Sequence, residues 1–291
     1  VGAMSAWKAS DLPSFAGRTV IVTGANSGLG LVTARELARV GAKTILAVRN
    51  TAKGDEAAAT ITGDVEVLKL DLQDLASVRA FADGVDGADV LINNAGIMAV
   101  PYAQTVDGFE SQIGTNHLGH FALTNLLLPK ITERVVTVSS IMHLMGFISL
   151  KDLNWKSRPY SAWLAYGQSK LANLLFTSEL QRRLDAAASP MKAHAAHPGY
   201  SATNLQSHSA GVFGKVFQAG NRIAATDADF GARQTLYAAS QDLPGNSFIG
   251  PRFAMRGPTG NAHRSPLARD AKKATALWEL SEQLTDTKFA L

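Results

Sequence analysis

The stretch Arg18-Thr-Val-Ile-Val-Thr-Gly24-Ala-Asn-Ser-Gly28-Leu-Gly30-Leu-Val-Thr-Ala-Arg-Glu-Leu-Ala-Arg-Val40-Gly41 decides how this chain is read. Arg18–Thr23 is a short, almost wholly apolar and β-branched run, as a strand covered on both faces requires. Leu29–Val40 carries a helical pattern that stops at Gly41, a residue suited to the C-cap. Between them Gly24, Asn26, Ser27, Gly28, Leu29 and Gly30 make a glycine-rich turn. Glycines let a backbone turn tightly and approach a pyrophosphate, and Gly30 lets the helix pack closely on the strand. The helix N-terminus offers free N–H groups and positive dipole to the anion. Many glycine turns only turn. The position of this one, between a first strand and an amphipathic helix, points to phosphate binding.

The same rhythm repeats outward. Lys43–Val48, Val65–Leu70, Val90–Asn93, Arg134–Ser139 and Lys192–His197 read as further strands. Helical patterns follow at Ser77–Ala82, Phe109–Leu128, Ala162–Leu184 and Asp227–Ser240, and Asp270–Leu284 reads as a last helix. Pro129 closes Phe109–Leu128, and Pro190 follows Ala162–Leu184. Strand–helix–strand repetition with right-handed crossovers predicts an α/β fold: a doubly wound, mostly parallel sheet with helices on both faces. In such a Rossmann-like sheet a dinucleotide lies beyond the carboxyl ends of the strands. No linker rich in Pro, Gly or Ser divides the chain, so a single domain is expected. Residues 1–16 read as an N-terminal extension, and about 205–225, with Gly211, Gly214 and Gly220, as an excursion over the substrate side.

The 291 residues are 46% hydrophobic and 18% charged, the balance of an ordinary water-soluble globular chain. There is no cysteine, which removes disulfides, thiolate catalysis and cysteine-bound zinc. Of seven histidines, only His117/His120 and His194/His197 lie close in sequence, and neither pair has carboxylates at zinc-enzyme spacing. No metal is expected. The formal net charge of +4 raises nucleic acid as a partner, but the cations are scattered and form no basic stripe. A solvated surface is the better reading, and a mild positive bias also suits a phosphorylated cofactor. No apolar run approaches the roughly 18 residues that span a bilayer. The N-terminus lacks a signal peptide's apolar core. The expected location is cytoplasmic.

A dinucleotide site carries its discriminating residue about 20 positions beyond the glycines, at the end of the second strand. Here that end reads Leu46-Ala-Val-Arg49-Asn50, with no acid. A carboxylate would grip a ribose 2′-hydroxyl and repel a 2′-phosphate, whereas Arg49 would pair with the phosphate. The plainer alternative is a surface arginine at a strand end. The expected cofactor is NADP(H), with NAD(H) second. Further on, Tyr166 and Lys170 stand four residues apart, on one face of a predicted helix. A phenol ionises near pH 10 and is a poor proton donor or acceptor at neutral pH unless its anion is stabilised. A neighbouring ammonium does that, so the pair suits general acid/base work. By itself such a pair arises easily by chance, and a packing tyrosine is the alternative.

Context decides it. Thr23-Gly24-Ala-Asn-Ser-Gly28-Leu-Gly30, Asn93-Asn-Ala95-Gly96, Ser139-Ser140, Tyr166-Gly-Gln-Ser-Lys170 and Pro198-Gly199 occur in order. Together they resemble the short-chain dehydrogenase/reductase family over roughly Arg18 to Tyr237. Within it, Thr115-Asn-His-Leu-Gly-His-Phe121, Ser139-Ser-Ile-Met-His143 and Tyr166-Gly-Gln-Ser-Lys-Leu-Ala-Asn173 resemble the retinol-dehydrogenase-like branch. The resemblance implies that Tyr166 exchanges the substrate proton, while Lys170 lowers the tyrosine pKa and bonds the nicotinamide ribose. Ser140, the second serine of its pair, would hold the substrate oxygen, and Asn116 would position a water in the proton relay. Asn93, Ala95 and Gly96 would line the ribose side of the cofactor, and Asp71 and Leu72 would meet the adenine. Pro198, Gly199 and Thr203 would lie near the nicotinamide. Taken singly, Asn93 and Asn94 could only shape a turn and Ser139-Ser140 only cap a segment. His117 and His120 read as packing or supporting residues, and Asp107 as a turn or cap residue.

Ser140 and Tyr166 lie 26 positions apart, a longer spacing than is common in the wider family. The insertion, Met142–Leu164, is expected to form part of the substrate wall. Its Trp155, Tyr160 and Trp163 suggest an apolar substrate, or are packing. Many relatives in this branch carry an N-terminal membrane segment, and none is read here. The expected function is hydride transfer between NADP(H) and an alcohol/carbonyl pair, in an apolar or bulky small molecule. The alternative is a catalytically silent NADP(H)-binding sensor or scaffold. Homo-oligomers are usual in the family; no nucleic-acid partner or membrane span is expected.

Overall fold

The computed structural model describes residues 7–199 and 228–291. Six strands fall on the predicted runs: β1 (Thr19–Thr23), β2 (Lys43–Val48), β3 (Val65–Lys69), β4 (Ala88–Asn93), β5 (Ile131–Val138) and β6 (Lys192–Ala196). Two short strands, β7 (Phe248–Pro251) and β8 (Thr259–Asn261), were not expected from the sequence. All join one sheet in the order β3-β2-β1-β4-β5-β6-β7-β8. Neighbours run parallel except β7 and β8, which pair antiparallel. This is the doubly wound, Rossmann-like sheet that the strand–helix rhythm predicts.

The described helices are α1 (Gly28–Arg39), α2 (Thr51–Ala58), α3 (Leu75–Gly84), α4 (Ser111–Ile113), α5 (Gly119–Leu127), α6 (Ala162–Ala186), α7 (Ala228–Ser240) and α8 (Ala271–Thr285). Alternation along each strand sends side chains to two separate cores. Ile21, Ile45, Leu91 and Val135 pack with Phe81 of α3, Phe121 of α5, Phe176 of α6 and Trp278 of α8. Val20, Val22, Leu46, Ile92 and Val136 face the other way, onto Leu37 of α1 and Leu236 of α7. Burial on both faces is why these strands are nearly continuous in apolar residues. In the first core, Phe121, Phe176 and Trp278 form a ring cluster, with Phe176 stacked on Trp278 at 5.7 Å.

The structure departs from expectation in two helices. Helix α2 is short and lacks an apolar stripe, so periodicity missed it. It starts because Asn50 caps it, accepting from Lys53 N at 3.1 Å. Its Gly54 is there for closeness: a Cβ would come within 2.7 Å of Val67 and Val48 side chains. The predicted helix Phe109–Leu128 is three pieces, with a π turn at Gly114–Leu118 between α4 and α5. It begins at Ser111 because the buried Glu110 carboxylate accepts from the N–H groups of Gln112 and Ile113, each at 2.9 Å. Asp107 does act as a cap, accepting from Leu75 N at 3.0 Å at the start of α3.

From β1 the chain runs outward to β2 and β3, then returns to β4 on the other side of β1. Strand order reverses there, which opens a crevice at the carboxyl ends of β1 and β4.

Candidate active site

The crevice begins with the glycine turn. Gly24 and Gly28 have φ of 65° and 54°, in the left-handed region that glycine adopts freely. A Cβ on Gly24 would stand 2.9 Å from the Cβ of Ala95, so the turns after β1 and β4 touch. A Cβ on Gly30 would collide with Gly24 O and Asn94 Nδ2, both at 2.5 Å. Ser27 precedes α1, yet no side chain caps that helix, whereas side chains cap α2, α3, α4 and α8. A close-approach cradle facing an uncapped helix N-terminus fits a dinucleotide pyrophosphate.

Thr23 ties the two turns together. Its Oγ1 accepts from the N–H groups of Asn94 and Ala95, each at 2.9 Å, and Asn94 Nδ2 donates to Thr23 O at 2.8 Å. With both lone pairs taken, the Thr23 hydroxyl donates to His120 Nε2 at 2.9 Å. His120 Nδ1 in turn donates to Asn116 O at 3.1 Å, which fixes the neutral ring. Burial, and to a smaller degree the charge of Lys170, lowers the His120 pKa to about 3 against the pull of the Asn116 carbonyl. His117 belongs to the core instead, bonded to Ser281 at 3.0 Å and packed near Phe121 and Phe176. Thr23 and His120 were not singled out as site residues. The available signal was the threonine adjoining Gly24, and a histidine one helical turn beyond Asn116.

The remaining cofactor residues divide by where their side chains go. Arg49 is exposed just past β2. Asp71, just past β3, is half-buried and accepts from Gln73 N at 3.0 Å. Leu72 is buried in the first core, leaving only its backbone toward a nucleotide. Asn93 also differs from expectation. Its amide is 1% exposed and donates to Thr124 Oγ1 at 2.9 Å and Thr137 Oγ1 at 3.4 Å, so it braces the sheet. Pro198 and Gly199 follow β6, and Gly199, at φ 72°, fits tightly against Pro251 and Met255 O. Thr203 and the 205–225 excursion lie outside the described residues.

At the carboxyl end of β5 and along α6 the chemistry-bearing side chains converge. Ser140 stands near enough to the Tyr166 hydroxyl to pull its pKa down. Ser139 takes a different part: it is buried, and its hydroxyl donates to Lys170 O at 2.8 Å. Lys170 Nζ donates to Val138 O at 3.1 Å and stands 5.7 Å from the centre of the Tyr166 ring. Asn116 sits in the π turn, a distortion often found at functional sites. Its amide grips Ile97 by both groups, at 2.9 Å each, and Nδ2 also donates to Ser169 Oγ at 2.9 Å. Asn116 Oδ1 and Lys170 Nζ border the same space, 3.1 and 3.4 Å from where a Gly96 Cβ would be.

The electrostatics correct one expectation. Lys170 was expected to lower the Tyr166 pKa. Burial instead pushes Tyr166 up to about 12, with only Ser140 pulling down. Burial also lowers Lys170 to about 8. The ammonium is aimed at Val138 O and lies beside the ring, so at neutral pH the tyrosine is firmly protonated.

Of the insertion's aromatics, two serve its own packing. Trp155 is buried beneath the Arg158 guanidinium, 3.6 Å from its ring centre, and Tyr160 stands edge-on to it at 5.7 Å. The Tyr160 hydroxyl bonds Val100 O at 3.0 Å and receives Gln112 Nε2 at 2.8 Å, locking the insertion to the loop after β4. Trp163 alone adjoins the site, edge-on to Tyr166 at 6.5 Å. Among the described residues, no cluster of His, Asp or Glu is placed to hold a metal ion. No described helix is long and apolar enough to cross a membrane.

The short chain dehydrogenase family profile matches residues 18–210. Human retinol dehydrogenase 13 is 41% identical over 290 residues, covering 92% of this chain and 84% of that protein. Human retinol dehydrogenase 12 is 40% identical over 288 residues, covering 94% and 88%. Among solved structures, an uncharacterized protein from Mycobacterium paratuberculosis is 69% identical and superposes with a TM-score of 0.89, covering 99% of this chain and all of that one. With the glycine crevice and the Ser140–Tyr166–Lys170 cluster on one sheet edge, these matches lead to one conclusion. The chain belongs to the short chain dehydrogenase family, in its retinol-dehydrogenase-like branch, and its chemistry is hydride transfer between a nicotinamide cofactor and an alcohol or carbonyl.

Proposed function

We propose that the protein is an NADP(H)-dependent reductase or dehydrogenase of an apolar or bulky alcohol/carbonyl substrate, with Tyr166 as its acid/base. One observation carries the reading. The protonated Tyr166 hydroxyl meets Ser140 beside the buried Lys170 ammonium, where the carboxyl ends of β4 and β5 face the glycine turn. The bound cofactor supplies the hydride. Gly24, Asn26, Ser27, Gly28, Leu29 and Gly30 bind its pyrophosphate, Arg49 its 2′-phosphate, and Asp71 and Leu72 border the adenine. The Asn93–Gly96 turn, Pro198, Gly199 and Thr203 hold the ribose and nicotinamide end.

In the reductive direction Ser140 holds the carbonyl oxygen. A serine hydroxyl has one hydrogen and two lone pairs. Met142 N occupies one lone pair at 3.2 Å, and the hydrogen turns from Tyr166 to the substrate oxygen when that oxygen is bound. Tyr166 donates its proton to that oxygen as the carbon is reduced. The raised Tyr166 pKa keeps the acid form loaded, and Lys170 bonds the nicotinamide ribose beside it. Asn116 Oδ1 has one lone pair left after bonding Ile97 N, and it holds the water through which Tyr166 is reprotonated. Oxidation runs the same steps in reverse. Two observations support the substrate class: the retinol dehydrogenases among the relatives, and Trp163 edge-on to Tyr166. The site draws on strands from both halves of one continuous sheet, which supports a single domain.

The test is a spectrophotometric screen of aldehydes, ketones and alcohols of graded chain length with both cofactors, on the parent and on Arg49→Ala. Expected is a preference for NADPH of about 30-fold or more, mostly removed in the variant, with rates rising as the chain lengthens. Equal binding of NADPH and NADH by the parent overturns the cofactor assignment.

A further inference from the structure

Ser140 precedes a 3₁₀ turn, Ile141–Met145, and its placement depends on a residue within that turn. The Ser140 carbonyl accepts twice from His143, from the backbone N–H at 3.1 Å and from ring Nδ1 at 2.8 Å. A carbonyl cannot donate, so Nδ1 carries the hydrogen. At the other side of the ring, Nε2 meets the Ser265 N–H at 3.2 Å and must accept. Only the neutral Nδ1–H tautomer satisfies both bonds. His143 is fully enclosed, and its ring stands edge-on to Phe248 of β7 at 5.6 Å. Ser265 is itself anchored, since its hydroxyl and carbonyl receive the Ala268 N–H at 3.2 and 3.1 Å. The imidazole is thus a strut between the backbone of Ser140 and a segment beyond β8 that lies 122 positions after His143.

We propose that His143 is a positioning residue for the reaction. By holding the Ser140 carbonyl, it fixes the turn whose Met142 N–H orients the Ser140 hydroxyl toward the substrate oxygen. The proposal rests on the reading of Ser140 as the group that holds that oxygen. A side chain that fills the same space without a donor at Nδ1 leaves the Ser140 carbonyl with one partner fewer and frees the hydroxyl to turn. Misplacement of a catalytic hydroxyl by a fraction of an ångström lowers turnover more than binding.

The experiment compares His143→Leu, His143→Asn, Ser140→Ala and the double variant His143→Leu/Ser140→Ala, using NADPH and the best carbonyl from the screen. His143→Leu is expected to lower kcat about tenfold or more with NADPH affinity within about twofold. His143→Asn, whose Nδ2 can still donate to Ser140 O, is expected within about threefold of the parent. Removing the Ser140 hydroxyl is expected to cost about a hundredfold in the parent. In the His143→Leu background it should cost only about tenfold, leaving the double variant no slower than Ser140→Ala, since a misdirected hydroxyl has less to lose. If His143→Leu does not fold, His143→Gln replaces it, reaching Ser265 but offering no donor at the Nδ1 position, with the same tenfold loss expected. The proposal is overturned if the leucine (or glutamine) variant keeps parental kcat, if asparagine fails to rescue, or if Ser140→Ala costs the same factor in both backgrounds. Parental kcat in Ser140→Ala alone would instead remove the underlying reading of Ser140.

Discussion

The two sides of the crevice are made of different material. On the β1–β4 side the surface is backbone: glycines at positive φ, an uncapped helix end, and two turns in van der Waals contact at Gly24 and Ala95. On the β5–α6 side it is made of side chains, each held by partners far away in sequence. Ser139 grips Lys170 O, Lys170 grips Val138 O, and Asn116 grips Ile97. A surface of backbone atoms tolerates little except glycine, because an added carbon at Gly24 or Gly30 runs into the neighbouring turn. A surface of side chains is open to change one residue at a time, and each change removes one chemical step while the cofactor still finds its place.

That contrast can be broken by experiment. The largest expected effect is Tyr166→Phe, which removes the transferable proton but keeps the ring. Turnover should drop about a thousandfold, with NADPH affinity within about twofold by fluorescence titration. Retained turnover would mean that Tyr166 is not the acid. Gly30→Ala should behave in the opposite sense. Its Cβ would press on Gly24 O and Asn94 Nδ2, both at 2.5 Å, an overpacking worth about 1–3 kcal/mol. NADPH affinity should fall about tenfold or more, with kcat at saturating NADPH little altered. A loss confined to kcat would erase the distinction between the two sides.

The smallest effect sharpens the comparison through pH. Burial lowers both His117 and His120 to about 3, whereas a histidine in the unfolded chain titrates near 6.5. The folded values are depressed, so the unfolded chain binds more protons between about pH 3 and 6.5. Stability is full above pH 6.5 and declines as pH falls, by about 0.8 kcal/mol for each histidine at pH 6. The melting temperature should therefore decline steadily from pH 7 to pH 5. Because His120 itself stays neutral in the folded protein over that range, its bond to Thr23 holds and NADPH affinity should be little altered. A flat melting temperature would show these rings to be less enclosed than the structure has them.

Much of the cofactor side was legible in sequence because its rules are local. A β-branched run, a glycine turn and an amphipathic helix are each properties of neighbouring residues, and 18–41 contains all three. Helix α2 was not legible, since Thr51–Ala58 has no apolar stripe and begins only because Asn50 caps it. Strands β7 and β8 were too short to announce themselves, and they join the sheet by pairing with β6 and with each other. Asn93 is given to the cofactor by the family resemblance, and taken singly it could only shape a turn. Strand alternation turned its amide inward to Thr124 and Thr137, a direction visible only once α5 and β5 were in place.

The sequence by itself determined the order of the first six strands and most of the helices between them, the glycine positions where a backbone must turn, and the presence of Ser140, Tyr166 and Lys170. These follow from periodicity and residue chemistry over a few positions. Only the tertiary structure decided which way the tyrosine pKa moves, that Ser139 turns inward to Lys170 O, and that His143 joins Ser140 to Ser265. The reason is physical. Burial and hydrogen-bond partnership are set by what packs around a group, and here the partners come from positions tens to more than a hundred residues away.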